Sequence, residues 1–222
     1  VCYAYPSPYF MRLQIMNEAI FPQPLLAFAC AAIGYLLGNI QTAIIISKSF
    51  YHDDVRNHGS GNAGSTNMIR VFGLKPGAIT FAGDFLKSVA SILVGRFLFG
   101  SLGGYIAGFM TVLGHCYPAF VHFRGGKGVA SSIGLAFMVN PLGAAFSVAI
   151  GAIVFSITKR VSVASLLSIL LFFISVLILK GADIALVVTT GLIVILVYIR
   201  HIENIRRLIR GEEAKLIPKA KD

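Results

Sequence analysis

Long apolar stretches, each near the length needed to cross a bilayer and separated by polar segments or, at Gly100, by a short glycine connection, leave this chain few folds to choose from. Residues 25–47, 76–98, 101–120, 163–179 and 184–199 are such stretches, and a helix needs about 20 mostly apolar residues to span the hydrocarbon core. Residues 129–157 form a longer one, interrupted by Asn140-Pro141. Proline removes a backbone donor and clashes with the preceding turn, so this stretch reads as two short helices meeting at the far membrane face. The expected fold is an all-α integral membrane protein with seven transmembrane helices, two of them short, over residues 25–213. Composition agrees: 56% of the residues are hydrophobic and 13% charged, against about 45–50% and about 25% in soluble domains.

Residues 1–24 read as a flexible lead-in, and 214–222 as a basic cytoplasmic tail. The first eleven residues are either part of that lead-in or an upstream extension of a chain starting at Met11 or Met16. Three scattered cysteines, Cys2, Cys30 and Cys116, give neither a disulfide framework nor a zinc spacing.

A net charge of +10 would suggest nucleic acid in a soluble chain. Here its distribution argues for a bilayer partner instead. Assigning loops to alternate sides puts fifteen of the nineteen Lys and Arg residues on one face. Basic loops stay cytoplasmic, which places the amino terminus outside and the carboxyl terminus in the cytoplasm. The sequence has no internal repeat of the kind common in transporters.

Every glycine-rich polar motif falls on that same side. The first runs from Arg56 to Arg70 as RNHGSGNAGSTNMIR. Its glycines permit tight turns and close backbone approach, consecutive N–H groups can form an anion nest, and an arginine at each end can grip phosphate through two parallel bonds. Asp84 and Lys87 lie inside the second apolar stretch, three residues apart and hence on one helical face. Ionisable groups at that depth are costly and usually paired and interior-facing, so they are either functional or a structural ion pair. Gly125-Gly126-Lys127-Gly128 precedes an apolar helix, where free N–H groups and a lysine attract phosphate. Ser162 and Ser165 stand at the start of another helix, Ser162 as a simple N-cap. His201, Asn204 and Arg207 recur at a spacing that shares a helical face, while Arg206 and Arg210 suit lipid head groups.

Taken in order, these blocks, with Gly114-His115 through Pro118 and Phe123 through Gly128, resemble the bacterial acyl-phosphate:glycerol-3-phosphate acyltransferase family, PlsY. The resemblance covers residues 25 to about 213. It implies seven transmembrane helices and transfer of a fatty acyl group from acyl phosphate to the 1-hydroxyl of glycerol 3-phosphate, giving lysophosphatidic acid and phosphate at the cytoplasmic side of the bacterial inner membrane. Ser65 stands where alanine is usual in the family and Ser88 where glycine is common. No carboxylate stands five positions after any histidine, so the base-and-carboxylate signature of other glycerol-phosphate acyltransferases is missing.

The expected proton acceptor is therefore the substrate's own phosphate. Lys87, Lys127 and Ser162 are expected to orient and neutralise one phosphate, with Arg56, Arg70, Asn67 and His201 on the other and Asp84 positioning Lys87. The assignment of cradle to phosphate is open. Lys87, Lys127, Ser162 and His201 form the expected catalytic set. Ser60, Gly61, Asn62, Gly64, Thr66, His115, Gly125, Gly126, Gly128, Asn204 and Arg207 complete the binding surface. Neither metal nor other cofactor is called for, and a monomer is expected. An organic-phosphate transporter is the rival reading.

Overall fold

The computed structural model describes residues 21–216, so most of the expected lead-in and the last residues of the tail lie outside it. All regular elements of the described residues are helical. They are α1 (Gln23–Asn39), α2 (Thr42–Tyr51), α3 (Ser65–Phe72), α4 (Leu74–Cys116), α5 (Val129–Val139), α6 (Pro141–Thr158), α7 (Val161–Lys180), α8 (Ile184–Arg200) and α9 (Ile202–Ile209), with 3₁₀ turns at Val55–Asn57 and Ala119–Val121.

Four helical segments are long and apolar enough to cross a membrane: Gln23–Tyr51, Leu74–Val121, Pro141–Thr158 and Val161–Lys180. The pair α8 and α9, bent by 58°, makes a fifth if counted as one span. α5 has 11 residues, too few for a full crossing. α4 is interrupted at Phe99 and Gly100, where Gly100 takes φ 56°, a value glycine tolerates without a Cβ penalty. The two arms fold back on each other so closely that a Cβ on Gly95 would lie 2.3 Å from the Gly103 carbonyl oxygen. The arms match the separate stretches expected at 76–98 and 101–120.

The first apolar stretch corrects the sequence reading. It starts at Gln23 and is two helices, parted at Ile40 and Gln41, whose ψ values of 105° and 89° are non-helical. No proline or glycine stands at the break. The polar side chains there turn inward: Asn39 and Gln41 are buried, Asn39 Nδ2 donates to Tyr35 O at 2.7 Å and Gln41 Nε2 to Gly38 O at 3.1 Å.

Small residues let the helices approach. A Cβ on Gly34 would come within 2.3 Å of Ala107 O, and one on Gly38 within 2.4 Å of Thr111 O, which seats α1 directly on the second arm of α4. Such contacts replace the hydrophobic driving force that lipid does not supply. Polar groups inside the bundle pair across helices, as with Thr111 Oγ1 donating to Gly34 O at 3.0 Å and Ser91 meeting Thr111 at 2.7 Å. Large apolar side chains such as Ile157, Ile178, Phe28 and Phe146 face outward, as a lipid-facing surface requires. The break at Asn140-Pro141 separates α5 from α6, with Asn140 Oδ1 accepting from Gly143 N at 3.2 Å.

Candidate active site

α3, α5 and α7 begin around one cavity of about 230 Å³. Their N-caps are Gly64, Gly128 and Arg160, none capped by a side chain. The first N–H groups of a helix lack intrahelical acceptors and carry partial positive charge, so three helix starts together make an anion-seeking surface. Ser60, Asn62, Gly64, Ser65, Thr66 and Asn67 line it from one side and Lys127, Gly128, Val129 and Ala130 from another. Ser165, His201, Asp84 and His115 complete the polar wall, and Phe81, Ile133 and Val161 give an apolar side. A polar cleft of about 470 Å³ continues from Ser60, Asn62 and Lys127 past Tyr117, Arg200, Asn204 and Arg207. Arg70 lines a third space beside Ser60, Arg207 and Glu213.

The glycine-rich loop is folded by Asn67. Its Nδ2 donates to the carbonyls of Val55, His58 and Asn62, and its Oδ1 accepts from Ser60 N at 2.9 Å. Its side-chain amide is thus committed to the loop, while the residue still borders the cavity. Gly59 and Gly61 take φ of 58° and 70°, so Gly61 serves the turn and is not among the cavity-lining residues.

Arg56 is also redirected. It grips Asp54 in bidentate fashion, Nε to Oδ1 at 3.0 Å and Nη2 to Oδ2 at 2.7 Å, and donates to Val121 O at 3.1 Å. That hydrogen bond holds the Asp54 carboxyl at about 2. Arg56 clamps two loops together and does not line the cavity.

Lys87 sits beneath the cavity floor. Its ammonium meets Asp84 Oδ1 at 2.8 Å and His115 Nδ1 at 2.9 Å, and donates to the carbonyls of Ile40 at 2.7 Å and Gly38 at 3.3 Å. Those carbonyls are the ones the α1–α2 break sets free. Lys87 thus caps a broken span, and Asp84 and His115 line the cavity in its place. Thr42 Oγ1 donates to Asp84 Oδ1 at 3.2 Å, fixing the carboxylate further.

Ser162 is neither an N-cap nor a cavity residue; the helix starts one position earlier. Its Oγ donates to Glu213 Oε1 at 2.8 Å. Asn204 Nδ2 donates to the same oxygen at 2.7 Å, Arg207 Nε to Oε2 at 2.9 Å, and Lys127 Nζ to Asn204 Oδ1. Glu213, unremarked in the sequence, is therefore the hub for three residues that were singled out. These partners hold its carboxyl below the usual range against the opposing effect of burial. The segment continues inward, with Leu216 N donating to Lys159 O at 2.8 Å, so the expected tail begins strapped to the bundle. Burial brings Lys127 down to about 8, Glu213 opposing and neighbouring arginines adding to the shift.

His201 Nδ1 lies 2.8 Å from Val197 O. A carbonyl only accepts, so the proton is on Nδ1 and Nε2 keeps its lone pair. Burial, then the charge of Lys127, holds the ring neutral down to about 4. Such a ring is set to accept a hydrogen bond at Nε2, as from a hydroxyl.

Gly125 and Gly126 are needed for close approach. A Cβ on Gly125 would lie 2.0 Å from His115 O, and one on Gly126 would lie 2.2 Å from His115 Nε2. Arg200, another residue missed in the sequence, donates to the carbonyls of Gly126 at 3.1 Å and Gly125 at 3.3 Å while stacking 5.0 Å over Tyr117. Ser165 lines the cavity where Ser162 was expected. Its position one turn along α7 was the available signal.

A family model described as glycerol-3-phosphate acyltransferase matches residues 28–211. The chain belongs to this family. A glycerol-3-phosphate acyltransferase of Thermoanaerobacter sp. (strain X514) is 41% identical over 190 residues, covering 86% of this chain and 96% of that protein. One from Clostridioides difficile (strain 630) is 42% identical over 195 residues, covering 84% and 93%. Among solved structures, PlsY (YgiH), an integral membrane glycerol 3-phosphate acyltransferase, superposes in its glycerol 3-phosphate form with a TM-score of 0.80 at 38% identity, over 85% of this chain and 94% of that one. Its lysophosphatidic acid form gives 0.78 at 36%. In this member of the glycerol-3-phosphate acyltransferase family, the matched region contains every residue lining the main cavity, and Glu213 lies two positions beyond its end.

Proposed function

We propose that the protein transfers a fatty acyl group from acyl phosphate to the 1-hydroxyl of glycerol 3-phosphate, releasing lysophosphatidic acid and phosphate. The observation that carries this reading is the meeting of three uncapped helix starts and Lys127 around one cavity with an apolar side at Phe81 and Ile133. The helix starts and Lys127 suit phosphate, and the apolar side suits the start of an acyl chain. Both reactants held in one pocket turn a bimolecular step into an effectively intramolecular one.

The hydroxyl oxygen bonds to the acyl carbonyl carbon, the C=O electron pair moves onto oxygen, and collapse breaks the bond to phosphate. The hydroxyl proton leaves with that phosphate. A phosphate acceptor suits this site because His201, held neutral down to about 4, is a weak base. Its Nε2 orients the attacking hydroxyl. Lys127, with Asn204 and Arg207 beside it and Arg70 nearby, neutralises phosphate, while Ser60, Asn62, Gly64, Thr66 and Gly128 contribute hydroxyls, amides and backbone N–H groups. Asp84 acts through Lys87.

In this reading the bundle has seven membrane helices, the two arms of α4 counting separately and α5, too short to cross fully, meeting α6 at Asn140-Pro141. The amino terminus is outside, and the cavity opens to the cytoplasm of a bacterial cell. The test is purified protein in lipid nanodiscs with palmitoyl phosphate or palmitoyl-CoA as donor. Phosphate release from palmitoyl phosphate only when glycerol 3-phosphate is present is expected. Transfer from palmitoyl-CoA alone, or no turnover with either donor, overturns the proposal.

A further inference from the structure

We infer that His115 is the hydrogen-bond donor to the acyl carbonyl oxygen, with its proton set on Nε2 by Lys87. The inference rests on the acyl-transfer reading above and assigns one group within it.

His115 is 3% exposed and lines the main cavity. Its Nδ1 lies 2.9 Å from Lys87 Nζ. Asp84 Oδ1 is farther, at 3.5 Å, and meets the lysine at 2.8 Å. An ammonium has donors and no acceptor, and this one is surrounded by a carboxylate and two carbonyls. It therefore donates to Nδ1, and the neutral imidazole carries its proton on Nε2. That nitrogen is the one against Gly126, where a Cβ would lie 2.2 Å away. Glycine at this position keeps the ring edge in place.

The carbonyl is the substrate group that fits this donor. Asp84 stands beside the ring, and a carboxylate disfavours a dianionic phosphate next to it. The phosphates are better served by Lys127 and the helix starts. The acyl carbonyl is neutral at rest and gains negative charge only as the hydroxyl adds, which is where a fixed donor in a dry site is most effective. His115 keeps its proton throughout. Lys87 is a positioning residue, holding the tautomer from below.

The test combines kinetics with nitrogen-15 spectra of histidine-labelled protein in lipid. His115→Phe is expected to lower kcat by about 10²–10³-fold, with KM for both substrates within about threefold, and His115→Asn to recover part of the loss through its amide N–H. In wild-type protein the His115 signal, assigned by its loss in His115→Asn, is expected to report the Nε2–H tautomer. Lys87→Met is expected to lose that signature together with kcat. An Nδ1–H tautomer in wild-type protein, or a His115→Phe variant that raises KM and keeps kcat, overturns the assignment. Should His115→Phe not fold, the wild-type and Lys87→Met spectra decide. The spectra need no acyl donor, so their outcome is separable from failure of the acyl-phosphate reading.

Discussion

His115 and His201 border one cavity in opposite hydrogen-bonding states. His115 accepts at Nδ1 from Lys87 across 2.9 Å, and His201 donates from Nδ1 to the Val197 carbonyl across 2.8 Å. One ring is left with a proton on Nε2 and the other with a lone pair there. In an acyl transfer these suit the electrophile's oxygen and the nucleophile's hydroxyl respectively, which is more than two interchangeable histidines could do.

Lys127 should set the alkaline limit of activity. Its ammonium loses its proton at about 8, so kcat/KM for glycerol 3-phosphate is expected to fall about tenfold per pH unit above that value, since this parameter follows the free enzyme. Lys127→Arg should move the limb past pH 10 at reduced kcat. A limb unchanged in that variant would remove Lys127 from phosphate binding. The same depression makes the charged form unfavourable to folding below about pH 8, a cost relieved as pH rises toward 10.5.

His201 should make the protein acid-sensitive. Its folded value of about 4 lies below the ordinary 6.5, so the unfolded chain binds a proton that the folded one refuses. Stability is whole above about pH 6.5 and is lost as pH falls toward 4, by about 3 kcal/mol in full. Melting temperatures in detergent at pH 7 and pH 4.5 should differ less in His201→Gln than in wild type. An equal difference in both would assign the loss to carboxylates such as Glu213.

Arg56 and Arg70 should separate stability from binding. Arg56→Lys cannot reproduce the bidentate grip on Asp54, and removing it is expected to cost about 2 kcal/mol while leaving kcat of the folded protein within about threefold. Arg70→Lys should leave the melting temperature nearly unchanged and raise the glycerol 3-phosphate KM about tenfold, one charge-assisted contact's worth. The reverse pattern, measured by thermal unfolding and initial rates, would exchange the two roles.

Gly34 should tolerate nothing larger. In Gly34→Val the new Cβ would meet the Ala107 carbonyl oxygen at 2.3 Å, backbone against backbone, and a loss of about 3 kcal/mol or more is expected. Gly191, in α8, is the control: a Cβ there meets only Phe173, at 3.5 Å. Gly191→Ala should gain about 0.5 kcal/mol from helix propensity. Parallel melting curves check both.

The sequence alone determined the apolar helical bundle, the break at Asn140-Pro141, the fold-back near Gly100 and the set of motifs that gather at one end. These follow from local chemistry: hydrocarbon demands internally satisfied backbone, proline stops helices, and glycine marks turns and close contacts. Tertiary structure alone decided which motif residues face the cavity. Ile40 and Gln41 break a helix without a breaker residue because Lys87, far along the chain, satisfies the freed carbonyls. Arg56, Asn67 and Ser162 look like phosphate ligands by type and spacing, yet each spends its donors on Asp54, loop carbonyls or Glu213. A side chain's donors are finite, and which partner claims them depends on where distant segments pack.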